Sequence, residues 1–282
     1  MTRFRFSLFL ALGLAMALTA QFAAAQGGFL RLKGDFVQGG LVLGRTEPGA
    51  EVALDGRTLR VDPKGNFVFG FHRDAPAEAR LSVRFPDGRT EERALAVEAR
   101  DYDVQRIDGL PPRMVTPPDA VLARIKAENA KIAETRRNDG ATPYFLDGFI
   151  WPTVGRISGI YGSQRILNGQ PRQPHYGIDI AAPAGTPVRA PAGGVVTLAE
   201  DDLYYTGGTI ILDHGHGLTS AFLHMKDVEV TLGQAVAQGA RLGTVGSTGR
   251  STGPHLDWRI NWFQARIDPQ LLAGPMPKKE TN

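Results

Sequence analysis

The sequence predicts a mainly β protein, with a small N-terminal β-sandwich-like domain, a linker helix and a second β domain. Short runs of alternating apolar and polar side chains between turn signals predict the sandwich over residues 29–106. Apolar residues at helical spacing among charges predict a helix over 119–137, and glycine-rich, strand-like runs resume at Phe149. The expected organisation is a signal peptide at 1–25, the sandwich-like domain at 26–110, the linker and helix at 111–140, the second domain at 141–274 and a tail at 275–282.

The composition of the chain excludes several classes of protein. Its 282 residues are 42% hydrophobic and 22% charged, which is ordinary for globular domains and unlike a disordered, collagenous or polytopic membrane protein. The formal net charge is only +3, so a basic surface for nucleic acid is not indicated. Because the chain has no cysteine, any metal ion must be held by histidine, aspartate or glutamate.

The first 25 residues have the pattern of an export signal. Arg3 and Arg5 precede an apolar run at 6–20, and alanines at 23–25 offer the small side chains that a signal peptidase requires. An uncleaved membrane anchor is the alternative, but the run is shorter than the roughly 18 to 20 apolar residues that span a bilayer. We therefore expect cleavage after Ala25 and secretion across the inner membrane into a periplasm, with no stable membrane insertion afterwards.

The first domain and the linker helix carry no predicted site. His72 is the domain's one histidine, and a lone imidazole predicts a structural or solvated role. The helix follows a proline-rich linker and places Val121, Ile125 and Ile132 near the helical period. A membrane-surface helix is the alternative, but acidic residues interleave with its lysines and arginines, which favours a solvated polar face.

Five of the six histidines lie between residues 175 and 255, in glycine-rich or strand-like runs. On a strand, residues two or four apart share a face, so His175 points the same way as Asp179, and His255 the same way as Asp257. Such pairs suit zinc held by three protein ligands with a fourth position left open. A hydrogen-bonded surface pair is the alternative, and spacing alone leaves both open.

The remaining histidines are less clearly placed. Alternation puts His224 on the face of Phe222 and opposite Leu223, from where a further imidazole can reach the same spot. His214 and His216 lie in a glycine-rich turn just before that run. They are candidate extra ligands, but the turn favours solvent exposure as the simpler account.

Four motifs occur in order within about residues 150–270. They are HYGID at 175–179, APAGTPVRAPAGGVV at 182–196, LGQAVAQG at 232–239 and VGSTGRSTGPHLD at 245–257. Together they resemble the lysostaphin-type, LytM-like peptidoglycan endopeptidases. The resemblance implies a hydrolase that depends on Zn²⁺, built on a twisted antiparallel β-sheet lining a groove, that cuts peptide cross-links in bacterial cell walls.

The resemblance also assigns site residues. The family's His-x-x-x-Asp pair of metal ligands falls on His175 and Asp179. Its His-Leu-His, a catalytic histidine followed by the third ligand, falls on His255 and Asp257, and its Tyr-x-His-Leu segment places a second catalytic histidine at His224. Which of the two catalytic histidines takes the proton is left open.

Two residues depart from the family's pattern. Phe222 replaces the usual tyrosine, so that hydroxyl is missing, and Asp257 replaces the usual ligand histidine. An aspartate oxygen lies as many bonds from Cα as histidine Nδ1, so we expect Asp257 to be the third metal ligand. The competing account is an exposed ion pair between Asp257 and Arg259, which would leave the metal with two ligands.

The sequence thus predicts an exported zinc metalloendopeptidase acting on peptidoglycan stem peptides, with the first domain positioning it or covering its groove. The alternative is a catalytically weak or inactive module that binds peptidoglycan or activates a cell-wall amidase, and Asp257 is the feature that points to it. A wall-binding structural protein is a third interpretation, which leaves the histidines unexplained. A cell-wall amidase or divisome partner and the oligomeric state are left open.

Overall fold

The computed structural model describes residues 29–107, 119–167 and 169–277. The predicted signal peptide, the proline pairs of the linker and the last five residues of the tail lie outside these ranges. Strands dominate the described part, so the prediction of a mainly β protein is confirmed. Within it, no helix combines the length and the apolar character needed to cross a membrane.

The first domain is built from two antiparallel sheets, as the alternating pattern predicted. The strands in this part of the chain are β1 (Leu30–Gly34), β2 (Leu41–Thr46), β3 (Glu51–Leu54), β4 (Arg57–Leu59), β5 (Asn66–Gly70), β6 (Glu78–Arg84), β7 (Thr90–Ala96) and β8 (Val104–Ile107). One sheet has the order β1-β2-β5 and the other β4-β3-β6-β7, and Phe67 and Phe69 on β5 are fully buried in the core.

The predicted helix is present as α1, Leu122–Thr135, after a short 3₁₀ turn at Asp119–Val121. Its apolar positions are used for docking. Ile125 is buried, and Ile132 packs against side chains of the second domain. The helix is therefore polar on its outer side and attached to the second domain along one face.

The second domain centres on a ten-stranded sheet, whose main path has the order β17-β14-β15-β16-β19-β12-β9, with β13, β18 and β20 off that path. A short helix α2, Pro269–Ala273, follows the last strand, and Asp268 caps it by accepting from the Gln270 N–H. The strands are β9 (Arg156–Gly159), β10 (Gln164–Leu167), β11 (Gln170–Pro171), β12 (Ile178–Ala181), β13 (Pro187–Arg189), β14 (Gly194–Leu203), β15 (Gly207–Asp213), β16 (Leu218–Val228), β17 (Ala235–Val236), β18 (Arg241–Val245), β19 (His255–Trp262) and β20 (Ala265–Ile267).

The central strands of this sheet have two chemically different faces. Phe222 and Trp258 are register partners on β16 and β19, and both are fully buried in the core. Leu223 is the partner of Asp257, and Asp257 is in turn the partner of Asp179 on β12. Because register partners point to the same side of a sheet, these three residues share the opposite face, which we call the site face.

The two domains are in direct contact. Arg73, which is buried, donates from Nε to the carbonyl of Gly162 at 2.9 Å, and Arg100 Nη2 pairs with Asp268 at 2.9 Å. Strand β8 falls within the predicted first domain, but it pairs in parallel with β10, which follows α1 in the sequence. His72 is half-buried, with its ring 5.7 Å from that of Tyr176, so this lone histidine packs at the domain contact.

Candidate functional site

Three side chains that the sequence predicted as metal ligands converge on the site face. Donor atoms of His175, Asp179 and Asp257 all lie within 4.8 Å of one another. His175 Nε2 is 3.1 Å from Asp179 Oδ1 and 3.6 Å from Asp257 Oδ1. Asp257 is only 3% exposed, so its carboxylate is shielded from bulk water.

Adjacent strands bring two of these residues together, and an irregular segment brings the third. Asp179 and Asp257 are direct register partners on β12 and β19. His175 precedes β12, so the strand alternation used to place it does not apply, and that part of the prediction was wrong. Its backbone N–H donates to the Ser163 carbonyl at 2.8 Å, and its Nδ1 donates to the Ile160 carbonyl at 3.2 Å. One backbone acceptor therefore holds the main chain of His175, and the other orients its imidazole.

Gly177 allows the segment before β12 to lie flat against β19. A Cβ atom on Gly177 would stand 2.5 Å from the Trp258 carbonyl oxygen, 2.6 Å from Arg259 Cγ and 2.7 Å from Asp257 Oδ1. Each distance is well below van der Waals contact. The close approach that sets His175 beside Asp257 thus requires a residue without a side chain.

The arrangement fits a bound cation. His175 Nε2 and Asp179 Oδ1 are buried and have no hydrogen-bond partner among the described residues, whereas buried polar atoms are normally paired. Because Nδ1 of the neutral ring carries the proton, Nε2 turns a lone pair toward the carboxylates. One imidazole and two carboxylates form a donor set that suits zinc.

The same residues perturb one another's protonation. Burial lowers the pKa of His175, but the nearby carboxylates of Asp179 and Asp257 outweigh burial and raise it to about 10. Burial raises the pKa of Asp257, but the charges of Arg259 and His175 hold it well below its usual range. Without a metal ion, a proton on His175 supplies the positive charge that the carboxylates attract.

The two predicted catalytic histidines lie beside this group. The ring centroids of His224 and His255 are 4.8 Å apart, and His255 Nε2 is 3.8 Å from Asp179 Oδ1. His224 Nδ1 donates to the Thr248 carbonyl and His255 Nδ1 to the Gly253 carbonyl, both at 2.8 Å. Each ring therefore keeps Nε2 as a proton acceptor, and burial lowers the pKa of His224, which keeps it neutral near pH 7.

His224 reaches the site through a break in the strand alternation. Alternation predicted it on the face of Phe222, which is the core face, and this prediction was wrong. The φ angle of His224 is +64°, and Phe222 and Met225, three residues apart, both pack in the main core. The backbone irregularity thus turns the imidazole toward His255. Such a φ costs a non-glycine residue on the order of 1 to 3 kcal/mol, and strain of this kind is concentrated at functional sites.

Asp257 serves two partners at once. Its carboxylate accepts from Arg259 Nε at 3.0 and 3.1 Å and from Nη2, while Oδ1 also faces His175 Nε2. The ligand role and the ion pair are therefore compatible in geometry. The ion pair was expected to be exposed, but the Asp257 side chain is 4% exposed and that of Arg259 29%.

His214 and His216 are buried, which corrects the expectation of solvent exposure. His214 Nδ1 donates to the Gly193 carbonyl at 2.6 Å, and Nε2 accepts from the Ser220 hydroxyl at 2.7 Å. Phe145 covers His216 with its ring centroid 5.2 Å away. Burial lowers the pKa of both histidines, to about 4 for His214. The two imidazoles are therefore neutral side chains packed in the interior. Neither belongs to the group of candidate ligands.

The glycine-rich run at 243–253 does more than present His255. It also supplies the carbonyls of Thr248 and Gly253 that orient both imidazoles, and Ser251 Oγ lies 3.2 Å from His255 Nδ1. Sequence reasoning missed these supporting atoms. Backbone carbonyls have no sequence signature of their own, and their direction depends on how the loop folds.

Comparison with known proteins shows where the similarity lies. The sequence profile of Peptidase family M23 matches residues 173–269. The Peptidoglycan DD-endopeptidase ShyA of Vibrio cholerae is 36% identical over 133 residues, which are 44% of this chain and 30% of that protein. The DD-carboxypeptidase/endopeptidase Mpg of Neisseria meningitidis is 40% identical over 104 residues, 37% of this chain and 24% of that protein. This chain thus matches less than a third of the length of these two relatives.

One solved structure is similar over most of the molecule. It is the crystal structure of a putative peptidase M23 from Pseudomonas aeruginosa, with 32% identity and a TM-score of 0.65. The similarity covers 84% of this chain and 95% of that chain, which is more than the second domain alone. The resemblance inferred from the motifs is confirmed, and the chain belongs to Peptidase family M23.

Proposed function

We propose that this chain is an exported zinc metalloendopeptidase that hydrolyses peptide cross-links of bacterial peptidoglycan. The observation that carries the proposal is the convergence of His175, Asp179 and Asp257, with two unpartnered acceptor atoms, beside His224 and His255. The names of the Vibrio and Neisseria relatives support peptidoglycan as the substrate. Export rests on the signal-like pattern of residues 1–25.

His175, Asp179 and Asp257 would hold Zn²⁺. The ion would supply a Lewis acid that polarises the scissile carbonyl group. The chain prepares two of the ligands through their own hydrogen bonds. The Ile160 carbonyl fixes the ring of His175, and Arg259 fixes the carboxylate of Asp257.

His224 and His255 would move the protons of the reaction. One Nε2 accepts a proton from the attacking water as the water oxygen bonds to the carbonyl carbon, and the ring that has taken up this proton becomes the donor beside the negative charge that develops on the carbonyl oxygen. The proton then passes to the peptide nitrogen as the C–N bond breaks, which leaves a free amine and a carboxylate. Phe222 takes no part because it is fully buried in the core.

Incubation of the mature chain with purified peptidoglycan tests this function. We expect soluble fragments with new amino and carboxyl ends, loss of release with a chelator, and recovery when Zn²⁺ is added back. Zinc-loaded protein that releases no fragment would contradict the proposal. Release that is unaffected by the chelator would contradict the metal dependence.

A peptidoglycan-binding module without peptidase activity is the second candidate. It is favoured by one observation, the ion pair between Arg259 and Asp257, which engages the carboxylate at the position of the usual ligand histidine. The two functions differ in one measurement. The module would sediment with peptidoglycan and leave its cross-links intact, whereas the peptidase would release fragments from the same material.

A further inference from the structure

Three arginines lie on elements that meet beside the candidate metal site. Arg259 follows Asp257 by two residues on β19 and therefore shares its face. Arg266 on β20 is the register partner of Asn261, which lies two residues further along that face. Arg136 is the residue that ends α1. We call these three residues the arginine cluster.

The packing of α1 explains why Arg136 belongs to the cluster. Ile132 packs against a group of side chains that includes Ala221 and Leu223. Ala221 is the register partner of Arg259, so this part of the helix lies over the site face next to Arg259. Arg136 follows Ile132 by four residues, and residues four apart lie on the same side of a helix. The helix thus directs Arg136 toward the same place.

The helix is attached firmly enough to hold Arg136 there. Lys131 forms an ion pair with Glu200 on β14, and Glu128 Oε2 accepts from the backbone N–H of Tyr204 at 2.8 Å. Together with the packing of Ile132, these contacts span about one turn of α1. Arg136 therefore has a fixed position on the surface beside the site.

The positive charge of the cluster is largely unbalanced. Asp257 is the carboxylate partner of Arg259, but no ion pair to Arg136 or Arg266 occurs in the described ranges. Arg266 donates to Asn261 Oδ1 at 2.6 Å and lies 5.1 Å from the ring centroid of Tyr176, and neither partner is a carboxylate.

Burial and mutual repulsion act on the same residues. Burial, with a further contribution from Arg259, lowers the pKa of Arg136 to about 10. Burial, then Arg136 and Arg259, lower the pKa of Arg266 to about 9. Both groups stay charged at neutral pH, and an anion placed between them would relieve the repulsion.

We propose that Arg136, Arg259 and Arg266 form an anion site that binds a free carboxylate of the peptide substrate. The proposal rests on the peptidase function and deepens it. Guanidinium groups bind carboxylates through two parallel hydrogen bonds, which suits a planar two-oxygen anion. Because Arg259 contacts Asp257, and an extended residue spans about 3.5 Å, the carboxylate lies within about two residues of the scissile bond. The substrate class is a peptide with a free α-carboxylate next to the bond that is cut.

Arg136 is the residue to change, because Arg259 also holds Asp257. The test compares the full mature chain with its Arg136→Gln variant. Arg137→Gln is the matched control, since Arg137 is the next residue, its side chain is 73% exposed and it pairs with Glu134. The probes are a synthetic stem pentapeptide with a free C-terminal carboxylate and the same peptide as its C-terminal amide. Equal melting temperatures of the three proteins establish that each is folded.

We expect the mature chain to cleave the acid with a kcat/KM about tenfold or more above that of the amide, the discrimination of a charge-assisted hydrogen bond. In Arg136→Gln the kcat/KM for the acid should fall to that for the amide, whereas the kcat/KM for the amide should not change. Arg137→Gln should keep the preference for the acid. Titration calorimetry should give the same ordering for binding of the two peptides, independently of turnover.

The outcomes separate this inference from the proposed function. If neither peptide is cleaved but the acid binds more tightly through Arg136, the carboxylate site stands, and the release of fragments from purified peptidoglycan decides the peptidase function separately. If the chain cleaves or binds both peptides equally, or if Arg136→Gln keeps the acid preference, the carboxylate site is refuted. Inorganic phosphate that binds through Arg136 while acid and amide are treated alike would also refute it and assign the cluster to phosphate.

Discussion

The role of Asp257 can be decided by replacing each partner of its ion pair separately. Asp257→Ala removes the candidate third ligand and leaves Arg259 without its carboxylate, whereas Arg259→Gln removes the guanidinium and leaves the carboxylate facing His175. If Asp257 is a ligand, the first variant should lose zinc, whereas the second should bind zinc more weakly but keep more of it than the first. Asp257→His should also retain zinc, because an imidazole can replace the carboxylate as ligand.

The loss of stability expected in Asp257→Ala and Arg259→Gln follows from the burial of the ion pair, and the loss of zinc follows from the ligand role. Removal of one partner of a buried ion pair costs about 3 kcal/mol or more, because the other charge stays unpaired in the interior, and the Asp257 side chain is 4% exposed. In a chain of this size that corresponds to a melting temperature lowered by roughly 6 to 12 °C. Changes in residues that merely support a ligand already weaken metal binding about 10- to 100-fold, so loss of a ligand should exceed that range.

The assay is zinc content per chain after dialysis of protein purified without added metal, together with the melting temperature. We expect less than about a tenth of the wild-type zinc in Asp257→Ala, by the ligand argument above. The control is Asp201→Ala, which removes an exposed carboxylate of β14. Equal zinc in the mature chain and in Asp257→Ala would refute the reasoning and leave Asp257 as the partner of Arg259 alone.

Three further predictions concern other residues of the second domain. His255→Ala should keep zinc and lose hydrolysis of peptidoglycan, whereas His175→Ala should lose both; equal zinc in the two variants would overturn these roles. Gly177→Ala should lower zinc content, because its Cβ would stand 2.7 Å from Asp257 Oδ1, and unchanged zinc would show that β19 can move aside. Burial holds the pKa of His214 near 4, below the value of 6.5 in an unfolded chain, so its contribution to stability is present above pH 6.5 and is lost as pH falls toward 4. Between pH 7.5 and 5.0 the mature chain should lose about 2 kcal/mol more unfolding free energy than His214→Phe, measured by urea denaturation, and equal losses would contradict the burial of this imidazole.

The regular strands of the second domain were predictable because strand alternation is a local property of the backbone. Asp179 and Ile178 on β12, and Asp257 and Trp258 on β19, lie on opposite faces as the period of two requires. The order and spacing of four motifs identified the family, which the comparisons confirmed. These features could be inferred without a structure because each depends on neighbours in the sequence.

The irregular positions could not be inferred in the same way. His175 lies outside β12, and His224 adopts a φ of +64° that turns it away from the face alternation predicts. His216 was expected in solvent and is covered by Phe145. In each case the conformation is stabilised by contacts with residues distant in the sequence, so no local pattern encodes it.

The sequence by itself determined the mainly β class, the family and the identity of the five candidate site residues, because these depend on residue type and spacing. Only the tertiary structure decided that Asp257 contacts both Arg259 and His175, and that α1 brings Arg136 beside the site. The physical reason is that charge and burial act through space. A carboxylate or a guanidinium acquires its role from whatever the folded chain places within a few ångströms of it, and that neighbourhood is set by packing of strands and a helix far apart in sequence.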